Sequence, residues 1–389
     1  MTEHRTLTTL MRPFLRRQKD APFRLPGTVT DGARVLAIDV GDLAEMLFYI
    51  PLLAAIRRRY PGASIDFLLP ENHAPLVVPS GLARQCLVYK PQQLKPWRPS
   101  YGSLLRSLGK PGYDVAVLMS MDAHAELELA CLASGAVLRL GPSHETAYPT
   151  VNVELRSMAD GDVYRGDRLG PLAPFLGLAS ERLESGWPLP EDRRRQCARL
   201  VHFNKPDRSQ LLVGIDPGLG KTGHGIAQQN LLFLTRQLAT QARCRFLPLS
   251  DPDNQDRLRE FERSVGDVPP GLARDTLMET VLLLSQCDLF LAGNTDLFHF
   301  AVALGVPSVG FFTPGDGKDW EPRGRRHCRV LRVSRGERVD VATLMEAVEA
   351  VRGAPAVTTS PLRPAPDAGA GGGGAADAAD AAWSTRGHD

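Results

Sequence analysis

Short apolar runs alternate with amphipathic stretches along most of this chain. Arg34–Asp39, Ile65–Leu69, Gln85–Tyr89 and Val115–Met119 are compact, mostly apolar runs bounded by polar or glycine-containing turns. Runs of that length with little alternation read as strands covered on both faces, the condition of a parallel sheet. Between the first two, from about Ala44 to Tyr60, apolar residues recur at helical spacing (Met46, Leu47, Ile50, Leu53, Ala54, Ile56), and Pro61-Gly62 stops the helix. Strand, helix, strand is the opening of a parallel α/β unit. A helix from about Ala123 to Ser134 precedes the run Gly135–Gly141, residues 142–190 are irregular and polar and then helical around Asp167–Leu178, and Pro188 to Pro206 holds a basic helix and the crossing to a second half. That half opens the same way: strand Leu211–Ile215, turn Pro217-Gly218-Leu219-Gly220, helix about Gln229–Gln241, strand Cys244–Leu249 and helix Asp251–Ser264.

The stretch 285–324 completes the second half. The apolar strand Leu289–Ala292 runs into the polar turn Gly293-Asn294-Thr295-Asp296; a helix carrying His299 follows and ends at Gly305; a second strand, Ser308–Phe312, opens into Thr313-Pro314-Gly315-Asp316. Both polar loops lie at carboxyl ends of strands, where open parallel sheets bind ligands. A helix start there presents free N–H groups and the positive end of a dipole, which suits a phosphate or diphosphate.

Length, charge and cysteine usage narrow the classes. At 389 residues the chain suits two domains. We place a basic leader at 1–30, one domain at 31–195, a second at 196–353, and a low-complexity tail of Pro, Ala, Gly and Asp at 354–389 that cannot bury enough apolar surface to order itself. A net charge of +2, with no basic block interleaved with aromatics, argues against a dedicated nucleic-acid binder. The six cysteines are scattered, with no CxxC and no Cys/His cluster, and read as buried free thiols in a reducing cytosol. No 18-residue apolar run is present, so no transmembrane helix is expected. The leader sets Arg12, Arg16, Arg17, Lys19 and Arg24 around Leu10, Met11, Phe14 and Leu15. It reads either as a short amphipathic stretch that an anionic membrane surface would attract or as a disordered basic segment.

Two α/β halves alone would equally fit a dehydrogenase or a periplasmic-type binding protein. The residues of 285–324 separate these: Thr295, His299, Ala301, Ala303, Leu304, Gly305, Pro307, Pro314, Asp316, Trp320, Pro322 and Gly324 follow the order of the C-terminal signature of the lipopolysaccharide heptosyltransferases, glycosyltransferase family 9. The first half resembles the same family through Val35–Asp39, Pro51–Arg57, Tyr60-Pro61, Ala63–Phe67, Tyr113-Asp114, Ser134–Ala136 with Arg139–Gly141, and Asp167–Leu169 with Leu176–Leu178; Pro217-Gly218 and Gln229–Leu231 resemble its second-domain opening. The resemblance covers about residues 33–325. It implies a GT-B fold, two Rossmann-like domains facing each other across a cleft. It implies inverting, metal-independent transfer of a sugar, heptose in the usual family case, from a nucleotide diphosphate donor, with no cofactor. The implied acceptor is a lipopolysaccharide core or another cell-surface glycan at the cytoplasmic face of the inner membrane. A Rossmann-type oxidoreductase would need GxGxxG after the first strand, and Asp39-Val-Gly41-Asp-Leu-Ala44-Glu lacks it.

Glycosyl transfer needs a carboxylate or similar base for the acceptor hydroxyl and positive groups for the departing diphosphate. The family's base is the Asp of a first-loop Gly-Asp, where the alignment here puts Ala44-Glu45; Glu45 is one candidate and Asp42, after Gly41, the other. For the donor, the candidates are Gly218, Gly220, Lys221 and Thr222 in the first turn of the second half, Ser250 at a strand end, and Asn294, Thr295, Asp296 and His299. Three positions depart from the family: Ala44-Glu45, His224–Ala227 in place of Lys-Arg-Trp-Pro, and Asp296 in place of Gly. Asp296 sets a negative charge beside the expected diphosphate unless Lys221, Lys318 or Arg323 compensates. These departures also fit a different class, a non-catalytic relative that binds sugar nucleotide or a partner protein.

Overall fold

The computed structural model describes residues 22–155, 163–179, 183, 186–204, 209–221, 226–251, 254–265, 276–334 and 337–353. The chain forms two wholly parallel sheets. The first holds β1 (Arg34–Asp39), β2 (Ser64–Pro70), β3 (Gln85–Tyr89), β4 (Val115–Met119), β5 (Leu138–Pro142) and β6 (Val153–Leu155) in the order β3-β2-β1-β4-β5-β6. The second holds β7 (Leu211–Asp216), β8 (Cys244–Pro248), β9 (Leu289–Ala292), β10 (Ser308–Phe312) and β11 (Cys328–Arg332) in the order β11-β10-β9-β7-β8. Val35 pairs with Ile65 on one side and Val115 on the other, so β1 is central; Ile215 pairs with Leu291, which makes β7 and β9 neighbours. Strand order reverses between β1 and β4 and between β7 and β9. A doubly wound sheet opens its binding crevice at such reversals, beyond the strands' carboxyl ends. The GT-B expectation of two facing Rossmann-like sheets holds.

Helix α1 (Leu43–Arg59) is the hinge of the packing. Its residues from Leu43 to Ile56 are all buried, because one side lies on the first sheet and the other meets α9 (Asp296–Ala303) of the second. A helix apolar all round is explained only by such two-sided burial. One apolar core therefore runs through both lobes, with Phe48, Ile50 and Leu53 continuous with Leu297 and Phe300. The remaining helices are α2 (Ala74–Val77), α3 (Pro99–Leu108), α4 (Ala125–Ala133), α5 (Glu191–Asn204), α6 (Gln228–Gln241), α7 (Gln255–Val265), α8 (Leu277–Leu284) and α10 (Val341–Arg352). The boundary expected at 195/196 falls inside α5, which packs against α8. All six cysteines are free. Among the described residues no helix is long and apolar enough to cross a membrane. The leader to residue 21 and the tail from 354 lie outside the described residues.

The structure corrects several local expectations. The stretch 142–190 contains β6, which completes the first sheet. The helix expected around Asp167–Leu178 is three short 3-10 turns, since Gly170, Pro171, Pro174 and Gly177 interrupt any α-helix there. Asp251 is a cap rather than a helical residue: its carboxylate accepts from the Asn254 amide at 3.0 Å, and α7 begins at Gln255. Between 324 and 353 the second half holds two elements the sequence reading did not mark: β11 adds an edge strand to β10, and α10 packs over both.

Gly310 sits where β10 passes under Phe298, and a Cβ there would lie 2.7 Å from the Phe298 ring and 3.0 Å from that of Phe312. Gly310→Ala is expected to lower stability by about 1–3 kcal/mol, the usual cost of overpacking, read as a lower urea midpoint with unchanged slope. An unchanged midpoint would contradict this packing.

Candidate active site between the two sheets

The carboxyl ends of β1 and β2 face those of β7 and β9 across a cleft of about 170 Å³. Gly41, Leu43 and His73 line it from the first lobe and Gly220, Lys221, Thr295 and Asp296 from the second. Asp42 caps α1, accepting from the Glu45 amide at 3.0 Å. Thr295 caps α9 in the same manner through the Phe298 amide. The two helix starts are stitched together: the Ala44 amide donates to Asp296 Oδ1 at 2.9 Å.

Lys221 sits at the centre. Its ammonium contacts Asp42 Oδ1 of the first lobe at 2.8 Å and also Asp296 Oδ1 of the second, and its backbone amide donates to the Asn294 carbonyl at 2.8 Å. Burial would weaken the ammonium, but the two carboxylates reverse that and hold its pKa above the ordinary lysine value. Burial likewise works against Asp42, yet Lys221 brings its pKa below the usual range; Asp296, more deeply placed, is pushed up by burial against the opposing pull of Lys221. Of the three compensating cations the sequence offered for Asp296, Lys221 is the one that pairs with it.

A second bridge lies alongside. Glu45 is only 4% exposed, and its Oε1 is held by Arg165 Nη1 at 2.5 Å. Burial raises the Glu45 pKa, and Arg165 opposes the rise. Arg165 Nε and Arg168 Nη2 both donate to Asp319 Oδ2 at 2.9 Å, and the Arg165 guanidinium lies 4.3 Å from the Trp320 ring centre. Sequence reasoning missed Arg165 and Asp319. The signal for Arg165 was a charged cluster, Arg165-Gly-Asp-Arg168, in a stretch that reads as irregular; Asp319 lies in the polar loop before Trp320.

Behind the cleft runs a closed chain of polar groups. Tyr164 Oη lies 3.0 Å from His299 Nδ1, His299 Nε2 lies 2.9 Å from Asn294 Oδ1, Asn294 Nδ2 donates to Asp316 Oδ1 at 2.9 Å, and the Thr313 amide donates to Asp316 Oδ2 at 2.7 Å. The fixed donors and acceptors make His299 the Nε2–H tautomer, with Nδ1 accepting from Tyr164. Complete burial drives its pKa down to about 3, so the ring is neutral. His299 and Asn294 therefore spend side-chain polar groups on one another and on Tyr164 and Asp316, and support the 293–296 turn from behind. Gly218 and Ser250 are committed too: the Gly218 amide and the Ser250 hydroxyl donate to Asp216 Oδ1 at 2.8 and 3.3 Å. Asp216 is buried at the end of β7, and burial followed by the nearby Asp251 pushes its pKa up to about 7. Of the donor candidates, Gly220, Lys221, Thr295 and Asp296 line the cleft and Thr222 lies outside the described residues, as does His224 of the departing segment. No group of three or more His, Cys, Asp or Glu side chains able to hold a metal occurs among the described residues.

The first lobe holds one further polar pair. His73 Nδ1 lies 2.6 Å from Asp39 Oδ2, both side chains are buried, and the Gly41 amide donates to Asp39 Oδ1 at 2.8 Å. Sequence reasoning missed it, although His73 follows the carboxyl end of β2, a position where such sheets place functional groups.

Comparison with known proteins bears out the resemblance. A family model described as glycosyltransferase family 9 (heptosyltransferase) matches residues 236–345. No curated protein sequence matches the chain. Among solved structures, the glycosyl transferase family 9 protein of Veillonella parvula superposes with TM-score 0.65 at 14% identity, covering 84% of this chain and 99% of that one. The E. coli ADP-heptose lps heptosyltransferase II gives 0.63 at 19% identity over 82% and 98%. The E. coli heptosyltransferase WaaC with ADP gives 0.62 at 16% identity over 81% and 99%. At those identities the structures carry the GT-B fold; with the family-model match they support a glycosyltransferase enzyme.

The buried His299 has a consequence for stability. The unfolded imidazole gains its proton near 6.5, the folded one only near 3. Between those values the unfolded state binds more protons, so stability falls as pH drops from 6.5 toward 3, by at most about 1.4 kcal/mol per pH unit. His299→Gln is expected to flatten that fall when urea midpoints are compared from pH 7.5 to 4.5. A variant as acid-sensitive as the wild type would contradict the neutral, buried assignment.

Proposed function

We propose that this chain is a glycosyltransferase of family 9 that moves a sugar, heptose in the reading we favour, from a nucleotide diphosphate donor to a lipopolysaccharide-core or other cell-surface glycan acceptor. The supporting observation is the position of Lys221: a half-buried cation at the mouth of two helix N-termini, in a cleft lined by both sheets. A diphosphate brought there would meet an ammonium, the Gly220 backbone and the positive end of α9, which together stabilise the charge that develops as the sugar leaves. In this reading the lobe of residues 31–195 holds the acceptor and the lobe of 196–353 the nucleotide. The acceptor oxygen attacks the anomeric carbon from the first-lobe side while the diphosphate departs toward the second, which inverts the configuration without a metal. ADP-heptose is the donor we favour, because two of the similar structures carry ADP or ADP-heptose in their descriptions. Work on a lipid-linked acceptor fits a protein at the inner face of the cytoplasmic membrane, approached through the basic leader.

Asp296 sets the terms of binding. Two carboxylates already neutralise Lys221, so an incoming diphosphate must displace one of them or share the cation. Charge-assisted hydrogen bonds contribute about 1.5–3 kcal/mol, and about 1.4 kcal/mol is tenfold in affinity. A second reading, a relative that binds sugar nucleotide without turnover, is favoured by one observation: both carboxylates named as base candidates, Asp42 and Glu45, are engaged in ion pairs.

Two measurements decide between these. Thermal-shift screening against ADP-, GDP- and UDP-sugars is expected to single out ADP-heptose; no shift with any nucleotide sugar would contradict the reading. With the responding donor, Lys221→Met is expected to weaken binding at least tenfold by calorimetry and Asp296→Asn to tighten it several-fold. Release of free ADP in the presence of acceptor separates the transferase from the binding relative, for which tight binding comes with no turnover.

A further inference from the structure

We propose that His73, held by Asp39, is the general base that removes the acceptor proton. The proposal rests on the glycosyl-transfer reading above and assigns a catalytic residue on the first lobe. Asp39 ends β1 and His73 closes the Glu71–His73 turn after β2, so neighbouring strands of the first sheet deliver the two side chains to the same edge. The Gly41 amide occupies Asp39 Oδ1, leaving Oδ2 to accept from His73 Nδ1 at 2.6 Å. That contact orients the ring and sets the tautomer of its neutral form, with the proton on Nδ1 and the lone pair on Nε2, the form a base requires. Nε2 makes no hydrogen bond among the described residues, and His73 lines the cleft opposite Lys221, Asp251 and Asp296. The Tyr89 hydroxyl donates to the Asp39 carbonyl at 2.7 Å and pins the strand end.

The other candidates are engaged elsewhere. Glu45 is buried against Arg165, and Asp42 accepts from both Lys221 and the Glu45 amide. Both contacts of Asp42 fall on Oδ1 and that of Glu45 on Oε1, so each keeps a second oxygen, but the cation beside each carboxylate opposes its taking a proton. In the step, the acceptor oxygen forms its bond to the anomeric carbon. The bond from that carbon to the diphosphate oxygen breaks, with its electron pair leaving on the diphosphate. The hydroxyl proton passes to His73 Nε2, and Asp39 stabilises the imidazolium. Asp39 acts through His73 and is a positioning residue. Asp39→Asn would present an amide N–H to Nδ1 and move the ring proton to Nε2.

The test uses the full chain with ADP-heptose as donor and heptose-free lipopolysaccharide as acceptor, following ADP release for turnover and calorimetry for donor binding. General bases contribute about 10²–10⁴-fold. His73→Gln is expected to lower kcat at least about 100-fold while the donor Kd stays within about twofold, and Asp39→Asn to lower kcat with the same unchanged Kd. In His73→Gly, added imidazole is expected to restore turnover, which a purely structural role for the ring would not allow. The proposal is overturned if His73→Gln turns over like the wild type, if Glu45→Gln abolishes turnover while His73→Gln does not, or if loss in the His73 variants goes with lost donor binding and no imidazole rescue. A wild-type chain that binds no ADP-heptose would overturn the functional reading itself, a result distinct from a binding-competent wild type whose turnover ignores His73.

Discussion

A single ammonium group, that of Lys221, ties the two lobes together at the point where a ligand would enter. It is 15% exposed and meets one carboxylate from each lobe. Losing a partner costs the sheltered Lys221 and Asp296 more than Asp42, whose carboxylate keeps part of its contact with solvent. Two carboxylates against one ammonium leave an excess of negative charge, which burial of Asp296 opposes by raising its pKa. That gives the cleft its character: the lobes are joined by a cation for which a phosphate would compete with the two carboxylates. The shared apolar core beneath, α1 against α9, fixes the lobes' relative position, so the charge cluster sits on a rigid platform.

The polar residues around the cleft divide by what they spend their hydrogen bonds on. The line Tyr164–His299–Asn294–Asp316 has its bonding groups committed inward and gives the 293–296 turn its shape. The Glu45–Arg165–Asp319 bridge, capped by Trp320, crosses between lobes in the same way. Buried networks of this kind rigidify a site when every member is satisfied. What faces open space is a smaller set: Lys221 and Asp296 from the second lobe, His73 from the first, and the backbone of the two glycine-containing turns.

Much of this was legible in the sequence because the fold is written in local patterns. β1, β4, β9 and β10 have the bounds their apolar runs suggest, since strands buried on both faces leave an uninterrupted signal; β3, a half-exposed edge strand, was found from its run Cys-Leu-Val-Tyr. β6 and β11 were missed because they are short or edge strands: β11 reads Cys-Arg-Val-Leu-Arg, with polar residues an edge tolerates. The candidate residues were found by position, at carboxyl ends of strands, but their partners could not be. Ala44 and Asp296 are 252 positions apart, and no spacing rule announces that bond. For the same reason Asp296 looked unfavourable beside a phosphate, and Glu45 looked free to act, until Lys221 and Arg165 were seen against them. His73 was overlooked because a lone histidine after a strand carries no local mark of the carboxylate on the next strand.

The central claim is that one ligand bridges both lobes at Lys221. Hydrogen–deuterium exchange of the full chain with and without ADP-heptose tests it directly. The account predicts slowed exchange together in peptides covering residues 41–45 and 71–74 of the first lobe and 218–221 and 293–297 of the second. Protection confined to one lobe, or found only away from these turns, would contradict it.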